Sequence, residues 1–250
     1  MNLAVTLDAQ WRADRSFWLK HLVLPFVLLA GVLYVMETSS LDLWLADHWF
    51  AAEGHRWTLR DHWLTNDVIH RYGKRALILL WLAILAAWWA SLRQPALELW
   101  RKPLGYLLVC MALLPTLIAH SKHYSPVPCP WDLLRYGGDL AYHHNLDYNF
   151  GPTDQGHCFP AGHASGGYAL LAVYFAAYPF TRRPWLFLLP GLLTGLVFGL
   201  GQQARGAHFV SHDVWTMGLS WFGALALFML FRPHGWHQRP ASELLMEHAR

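Results

Sequence analysis

The chain has 250 residues, of which 55% are apolar and 15 are tryptophan, a content above that of ordinary soluble globular proteins. The formal net charge is only +3 and the pI is ≈ 8.8, and no basic stripe runs along the chain, so a nucleic-acid partner is not expected. Composition thus argues against a soluble protein and predicts an integral membrane protein.

Six apolar runs follow one another along the chain, near residues 17–36, 76–91, 103–120, 164–180, 185–201 and 214–231. Each is close to the ~20 residues that an α-helix needs to cross a bilayer. We therefore expect an all-α fold, an integral membrane six-helix bundle that forms one domain over residues 1–250. No small-residue cleavage site follows the first run, so we expect this run to be retained as an anchor.

Basic residues indicate the orientation of the bundle. Lysine and arginine precede the first span, separate spans two and three and spans four and five, and recur in the tail. By the positive-inside rule these segments, and both termini, lie in the cytoplasm. Arg71, Lys74 and Arg75 crowd the opposite end of the second span and oppose this count. The loops after spans one, three and five are expected on the outer side.

The loop between the first two spans carries a stripe of mainly apolar residues at helical spacing, formed by Leu41, Trp44, Leu45, His48 and Trp49. This spacing predicts an amphipathic helix that lies in the membrane interface. Two interpretations stay open. The helix either guides a lipid headgroup sideways to a site or only anchors the protein through an aromatic belt.

Two of the three cysteines share the loop between spans three and four. Cys110 lies inside the third predicted span, whereas Cys129 and Cys158 lie in the loop expected on the outer side. An oxidising compartment permits a disulfide there, which would close a loop of about 30 residues. Two free thiols, or a metal pair with His157, are the alternatives.

Polar side chains at the outer ends of several spans predict a shared pocket. Lys122 follows the third span, His163 precedes the fourth, Arg205 and His208 lie three residues apart after the fifth, and Asp213 begins the sixth. This set suits phosphoryl transfer, because cations stabilise the phosphoryl oxygens and an imidazole attacks in line. A carboxylate would fix the tautomer of that imidazole, and a second imidazole would protonate the leaving oxygen.

The start of the fourth span offers a further anion-binding feature. Pro160 and Gly162 precede this span, so the first free backbone amides of its helix point to a spot beside His163. A helix N-terminus with a glycine that permits close approach is suited to bind an anion. We therefore add the amides at Ala161 and Gly162 to the candidate phosphate-binding groups.

From Lys122 to about Gly218 the chain resembles the type-2 phosphatidic acid phosphatase superfamily of membrane lipid phosphatases. The first motif of that family is a lysine, six residues and then Arg-Pro. Here Lys122 is followed at that spacing by Cys129-Pro130, so the lysine matches and the arginine does not. The second motif, Pro-Ser-Gly-His, has a close counterpart in Pro160-Ala161-Gly162-His163.

The third motif of the family is Ser-Arg, five residues, His, three residues and Asp. The histidine matches His208, but Gln202 occupies the arginine position and Arg205 lies three residues later. His212 stands where the spacing predicts the aspartate, and Asp213 follows it. Each missing group thus has a nearby substitute, which indicates a divergent active subfamily.

The resemblance implies a role for each matching residue. His208 would be the nucleophile that forms a phosphohistidine, His163 the proton donor to the leaving group, and Asp213 the residue that orients His208. The sequence leaves open whether His212 orients His208 instead. The groups expected to bind the substrate phosphate are Lys122, Arg205, Arg135 in place of the missing arginine, Ala161 and Gly162.

The resemblance also implies a metal-independent phosphatase without a cofactor, with membrane lipids around it and its active site at the periplasmic face of a bacterial inner membrane. The lipid phosphates considered as substrates are, in order, undecaprenyl diphosphate, phosphatidylglycerol phosphate, phosphatidic acid and lipid A. A lipid phosphotransferase and a binding-only homologue remain alternatives. A haem protein or a transporter is disfavoured, because the predicted spans hold almost no ionisable residue at mid-depth. No oligomeric state is predicted.

Overall fold

A computed structural model describes residues 15–147 and 156–231 of the chain. Within these ranges the protein is helical and has no β-strand, only an isolated bridge between Leu133 and Leu140. The predicted all-α fold is thereby confirmed. Arg12 and the basic residues of the tail, among them Arg239, lie outside the described residues together with both termini.

Five helices are long and apolar enough to cross a membrane, as a multi-pass membrane protein requires. They are α1 (Arg15–Thr38), α3 (Trp63–Arg93), α4 (Pro95–Tyr124), α6 (Pro184–Ala204) and α7 (Val210–Leu230). A shorter helix, α2, covers Leu41–Ala52. The helix predicted between α1 and α3 is therefore present, while its place at the membrane interface stays a prediction.

The predicted fourth span is a helical segment, α5, which differs from the other five. It consists of Gly162–Tyr168, a 3-10 turn at Ala169–Leu171 and Ala172–Ala177, so it is shorter than the crossing helices. Most of its residues are buried, because the other helices surround it. Five crossing helices are thus evident from length and composition, and α5 forms the centre of the bundle.

Helix α3 begins well before the predicted second span. Its first part, Trp63–Tyr72, is a π-helix that continues into the α-helix Gly73–Arg93. The apolar run alone placed the start near residue 76, because the polar and charged residues of the first turns interrupt the hydropathy signal. This extension brings Asn66, His70 and Lys74 onto a helix of the bundle.

Small residues hold α5 and α6 together. Gly191 and Gly195 lie one turn apart on α6, where Gly191 meets Leu171 of α5 and Gly195 meets Gly167 of α5. A Cβ atom at Gly167 would lie 2.5 Å from the backbone nitrogen of Gly195, so the two backbones are in direct contact. Such small residues are a common way to pack helices in membranes. The packing places the start of α5 beside the end of α6.

The opposite end of the bundle is closed by aromatic packing. Phe17 of α1, Tyr106 of α4, Phe175 of α5 and Phe228 of α7 are buried in one cluster. The Tyr106 hydroxyl donates a hydrogen bond to the carbonyl oxygen of Ala224 at 2.9 Å. This cluster joins the helices at the end of the bundle opposite to Lys122, His163 and Asp213. We call that other end, where α4 and α6 end and α5 and α7 begin, the loop end.

Candidate active site

A cavity of ≈ 720 Å³ opens at the loop end between α3, α4, α5 and α6. Its ionisable lining residues, among those that the structure describes, are cations and imidazoles, with no carboxylate between them: His70, Lys74, Lys122, His163, Arg205 and His208. Lys74, Lys122 and Arg205 thus border the same space. The cavity is therefore suited to an anion.

Five of the predicted catalytic and phosphate-binding residues line this one cavity. They are Lys122 at the end of α4, Gly162 and His163 at the start of α5, and Arg205 and His208 in the loop between α6 and α7. The sequence separates these residues by up to 86 positions, from Lys122 to His208. The fold brings them together because three helices end or begin at the same depth.

His208 is a buried imidazole with a second imidazole as its neighbour. Its Nδ1 atom lies 3.2 Å from Nδ1 of His212, and both side chains are buried. Two such atoms can share a hydrogen bond only if one of them carries the proton and the other accepts it. Burial lowers the pKa of His208 well below its usual value, with a further contribution from the charge of Lys122. At neutral pH His208 is therefore unprotonated on one nitrogen, as a nucleophile must be.

The side chain of Asp213 does not contact His208 but points toward α6. Its Oδ2 accepts a hydrogen bond from Nε2 of Gln203 at 2.5 Å, and its carboxylate lies against Gly199 of α6. It shares no hydrogen bond with His208 in the described part of the chain. Successive residues on an α-helix point about 100° apart because a turn takes ~3.6 residues. The aspartate that follows His212 therefore cannot face the same neighbour, and the residue beside His208 is His212.

Arg205 is held by four hydrogen bonds. Its Nε donates to the carbonyl oxygen of Arg60 at 2.8 Å, its Nη1 to Nδ1 of His70 at 3.0 Å and to Oε1 of Gln202 at 3.2 Å, and its Nη2 to Oδ1 of Asn66 at 3.2 Å. A guanidinium has about five N–H donors, so one remains for a ligand. Gln202, which occupies the arginine position of the third motif, thus helps to fix the arginine that replaces it.

His163 packs between two aromatic rings. Its ring stacks on Phe198 with centroids 4.3 Å apart and meets His70 edge-on at 4.5 Å. Its Nε2 lies 3.3 Å from the carbonyl oxygen of Ile69. These contacts fix the imidazole at the cavity wall, and the described residues of that wall include no carboxylate.

Arg135 is not brought to the cavity. Its Nε and Nη2 donate to the two carboxylate oxygens of Asp47 at 2.7 and 2.6 Å, and the pair is exposed. The Arg135 guanidinium also lowers the pKa of the Asp47 carboxyl below its ordinary value. This ion pair joins the loop before α5 to helix α2. Arg135 therefore links two parts of the fold and does not line the cavity.

The amide of Ala161 is also occupied. This residue is fully buried, and its N–H donates to Oγ1 of Thr216 at 2.9 Å. It does not line the cavity, whereas Gly162 does. Of the two predicted amide sites, only the one at Gly162 borders the space where an anion would bind.

Cys129 and Cys158 form a disulfide, with their Cα atoms 5.2 Å apart. Both residues line the cavity, so the bond joins the two ends of the loop between α4 and α5 at the cavity wall. Asp132 lies near enough to the two sulfur atoms to share a metal ion with them, but sulfur atoms that are bonded to each other are not thiolate ligands.

Two residues that hold Arg205 were missed from the sequence, and one of them, His70, lines the cavity. Asn66 and His70 lie one turn apart on α3 and bind Arg205. Their spacing from Lys74, at four-residue steps, was the available signal. It went unused because the predicted second span began after them.

Below its polar groups the cavity becomes apolar. Leu77, Ile78 and Trp81 of α3 line one side, and Met111 and Ala112 of α4 line the other. An amphiphile would find cations at one end of this space and hydrocarbon at the other. Such a shape suits a lipid with an anionic headgroup.

A protein-family model described as the PAP2 superfamily matches residues 103–236, which is more than half of the chain. The matched stretch runs from α4 past the end of α7 and contains Lys122, His163, Arg205 and His208. Helices α1, α2 and α3 lie outside it. No curated protein and no solved structure matches the chain.

Proposed function

Since the chain belongs to the PAP2 superfamily, whose members its motifs resemble, we propose that it is a membrane phosphatase that hydrolyses a phosphomonoester or diphosphate of a lipid through a phosphohistidine. The observation that carries the proposal is the cavity at the loop end. It gathers Lys122, His163, Arg205 and His208 around a space without a carboxylate and continues into an apolar groove.

In the first step Nε2 of His208 attacks the phosphorus, and the bond from phosphorus to the leaving oxygen breaks. Nδ1 of His208 is held by His212, which leaves Nε2 as the nitrogen that attacks. His163 gives a proton to the leaving oxygen. In the second step water cleaves the phosphohistidine, its proton returns to His163, and inorganic phosphate is released.

The negative charge of the transition state lies on the phosphoryl oxygens. The ammonium of Lys122, the remaining N–H of Arg205 and the amide of Gly162 are the groups placed to stabilise it. Cations of the chain thus do the work that a metal ion does in other phosphatases. The mechanism needs no cofactor.

The membrane setting is part of the proposal and rests on the distribution of lysine and arginine along the chain. With α5 counted as the fourth span, the chain crosses six times, both termini are cytoplasmic and the loop end faces the periplasm of a bacterial inner membrane. Trp44 of α2 is 54% exposed, as expected of a helix that lies in the interface. Undecaprenyl diphosphate is the first substrate to test, followed by phosphatidylglycerol phosphate, phosphatidic acid and lipid A.

The test is phosphate release from these four lipids by the detergent-purified protein, with a chelator present and His208→Ala beside it. The expected result is release that survives chelation and vanishes in the variant, while the melting temperature of the variant stays close to that of the wild type. Continued release of phosphate by His208→Ala would refute the assignment of His208 as the nucleophile. Formation of a phosphohistidine without release of phosphate would indicate transfer to another lipid. If neither a phosphohistidine nor free phosphate is found, the protein is a homologue that only binds its ligand.

A further inference from the structure

One face of helix α3 forms a wall of the cavity outside the stretch that the family model matches. Asn66, His70 and Lys74 follow one another at four-residue steps on this face, and Leu77 and Ile78 continue it. His70, Lys74, Leu77 and Ile78 all line the cavity. The face therefore changes from polar to apolar along the path from the reaction centre to the membrane interior.

His70 offers a hydrogen-bond donor to the cavity. Nη1 of Arg205 lies 3.0 Å from Nδ1 of His70, and a guanidinium can only donate. Nδ1 of His70 must accept this bond, so the proton of the imidazole is on Nε2. The contact with Arg205 thus fixes His70 as a neutral ring that presents an Nε2–H group.

Lys74 is a cation without a carboxylate partner among residues 15–147 and 156–231. The nearest acid along the same helix, Asp67, is paired with Arg71 at 2.9 Å. Lys74 lines the cavity one turn beyond His70 and one turn before Leu77 and Ile78. Along α3, Lys74 therefore lies between His70, which binds Arg205, and the apolar groove.

In a lipid diphosphate the phosphoryl group that is cleaved off is terminal, and the second one stays on the lipid, next to the hydrocarbon chain. We propose that His70 and Lys74 form a second anion subsite, which binds the phosphoryl group that remains on the lipid. The inference rests on the proposed function. It limits the preferred substrates to lipids that carry a second phosphoryl group next to the one that is cleaved off. A lipid monophosphate has no second phosphoryl group, so it offers no negative charge for Lys74 to bind.

The first experiment compares a prenyl diphosphate with the prenyl monophosphate of the same chain length. Lys74→Met removes the cation and keeps the length of the side chain. Arg75→Met is the matched control, because Arg75 is the next residue on the helix, lies over the Tyr72 ring at 5.3 Å and does not line the cavity. Melting temperatures in detergent check that both variants fold.

We expect Lys74→Met to lower kcat/KM for the diphosphate by about tenfold or more, as the loss of a hydrogen bond between charged groups implies. The monophosphate should lose less than about threefold, and Arg75→Met should leave both within that range. Equal losses for the two substrates, or equal effects of the two variants, would overturn the subsite.

A binding measurement separates this inference from the proposed function. Methylenediphosphonate and inorganic phosphate are titrated by calorimetry into His208→Ala, with and without Lys74→Met. If Lys74→Met weakens the binding of the diphosphonate by about tenfold and the binding of phosphate by less, the subsite is supported even if no lipid is hydrolysed. Unchanged diphosphonate affinity overturns it, whether or not the protein is a phosphatase.

Discussion

Substitution of His212 tests which residue orients the nucleophile. His208 and His212 are joined through their Nδ1 atoms at 3.2 Å, and both residues are buried, with 5% and 0% of their surfaces exposed. In His212→Ala the Nδ1–H of His208 loses its acceptor in a buried place. A buried polar group without a partner costs about 1–3 kcal/mol.

If this cost falls on the transition state, kcat decreases by about 5- to 150-fold, since each ~1.4 kcal/mol is tenfold in rate. His212→Asp places a carboxylate at the position that the family pattern predicts. It should retain activity within about tenfold of the wild type. It should also raise the pKa of His208, because a nearby negative charge favours the imidazolium. The acidic limb of the pH profile then moves to higher pH.

The matched control is Asp213→Asn. The Asp213 carboxylate accepts a hydrogen bond from Gln203 and does not contact His208, and an asparagine oxygen can accept the same bond. We expect kcat within about threefold of the wild type for this variant.

The assay is kcat/KM between pH 5 and pH 9 on the best lipid substrate, with melting temperatures recorded for every variant. A large loss in Asp213→Asn together with full activity in His212→Ala would refute the assignment. It would show that Asp213 turns toward His208 when the substrate binds.

Three further variants test the surroundings of the site. Arg135→Ala should keep kcat/KM within about twofold and lower the stability by no more than ~1 kcal/mol, since its ion pair with Asp47 is exposed; a tenfold loss of turnover would show that Arg135 reaches the phosphate. Burial raises the pKa of Asp42 to about 6, so the wild type should lose about 2 kcal/mol of stability relative to Asp42→Asn as the pH rises from 4 to 6, and parallel melting curves would contradict this. Gly167→Ala would place a Cβ 2.5 Å from the backbone of α6 and should cost about 1–3 kcal/mol, whereas Gly31→Ala, with nothing within 4 Å of its Cβ, should melt like the wild type.

Local features of the sequence were sufficient for the outline of the protein. Apolar runs predicted the five crossing helices of the described residues and the position of α5, because the cost of placing polar groups in lipid is a property of each segment by itself. The motif residues Lys122, His163 and His208 were found in the same way, from spacings within single segments. The predicted start of the second span was too late, because the charges on the first turns of α3 conceal a helix whose polar face lines a cavity.

Contacts between distant segments decided the rest. Arg135 was a reasonable substitute for the missing arginine by position along the chain, yet it pairs with Asp47, 88 residues away. His70 reaches Arg205 across 135 residues, so no local pattern could connect them. The choice between two adjacent residues was also tertiary, because His212 and Asp213 point in different directions from one helix.

The sequence by itself determined the helical membrane fold and the chemical type of the site, since hydropathy and motif spacing are carried by short stretches of chain. Only the tertiary structure decided which side chains meet in the cavity. The close contact of α5 with α6 and the length of α3 set those distances, and both depend on packing between segments far apart in the chain.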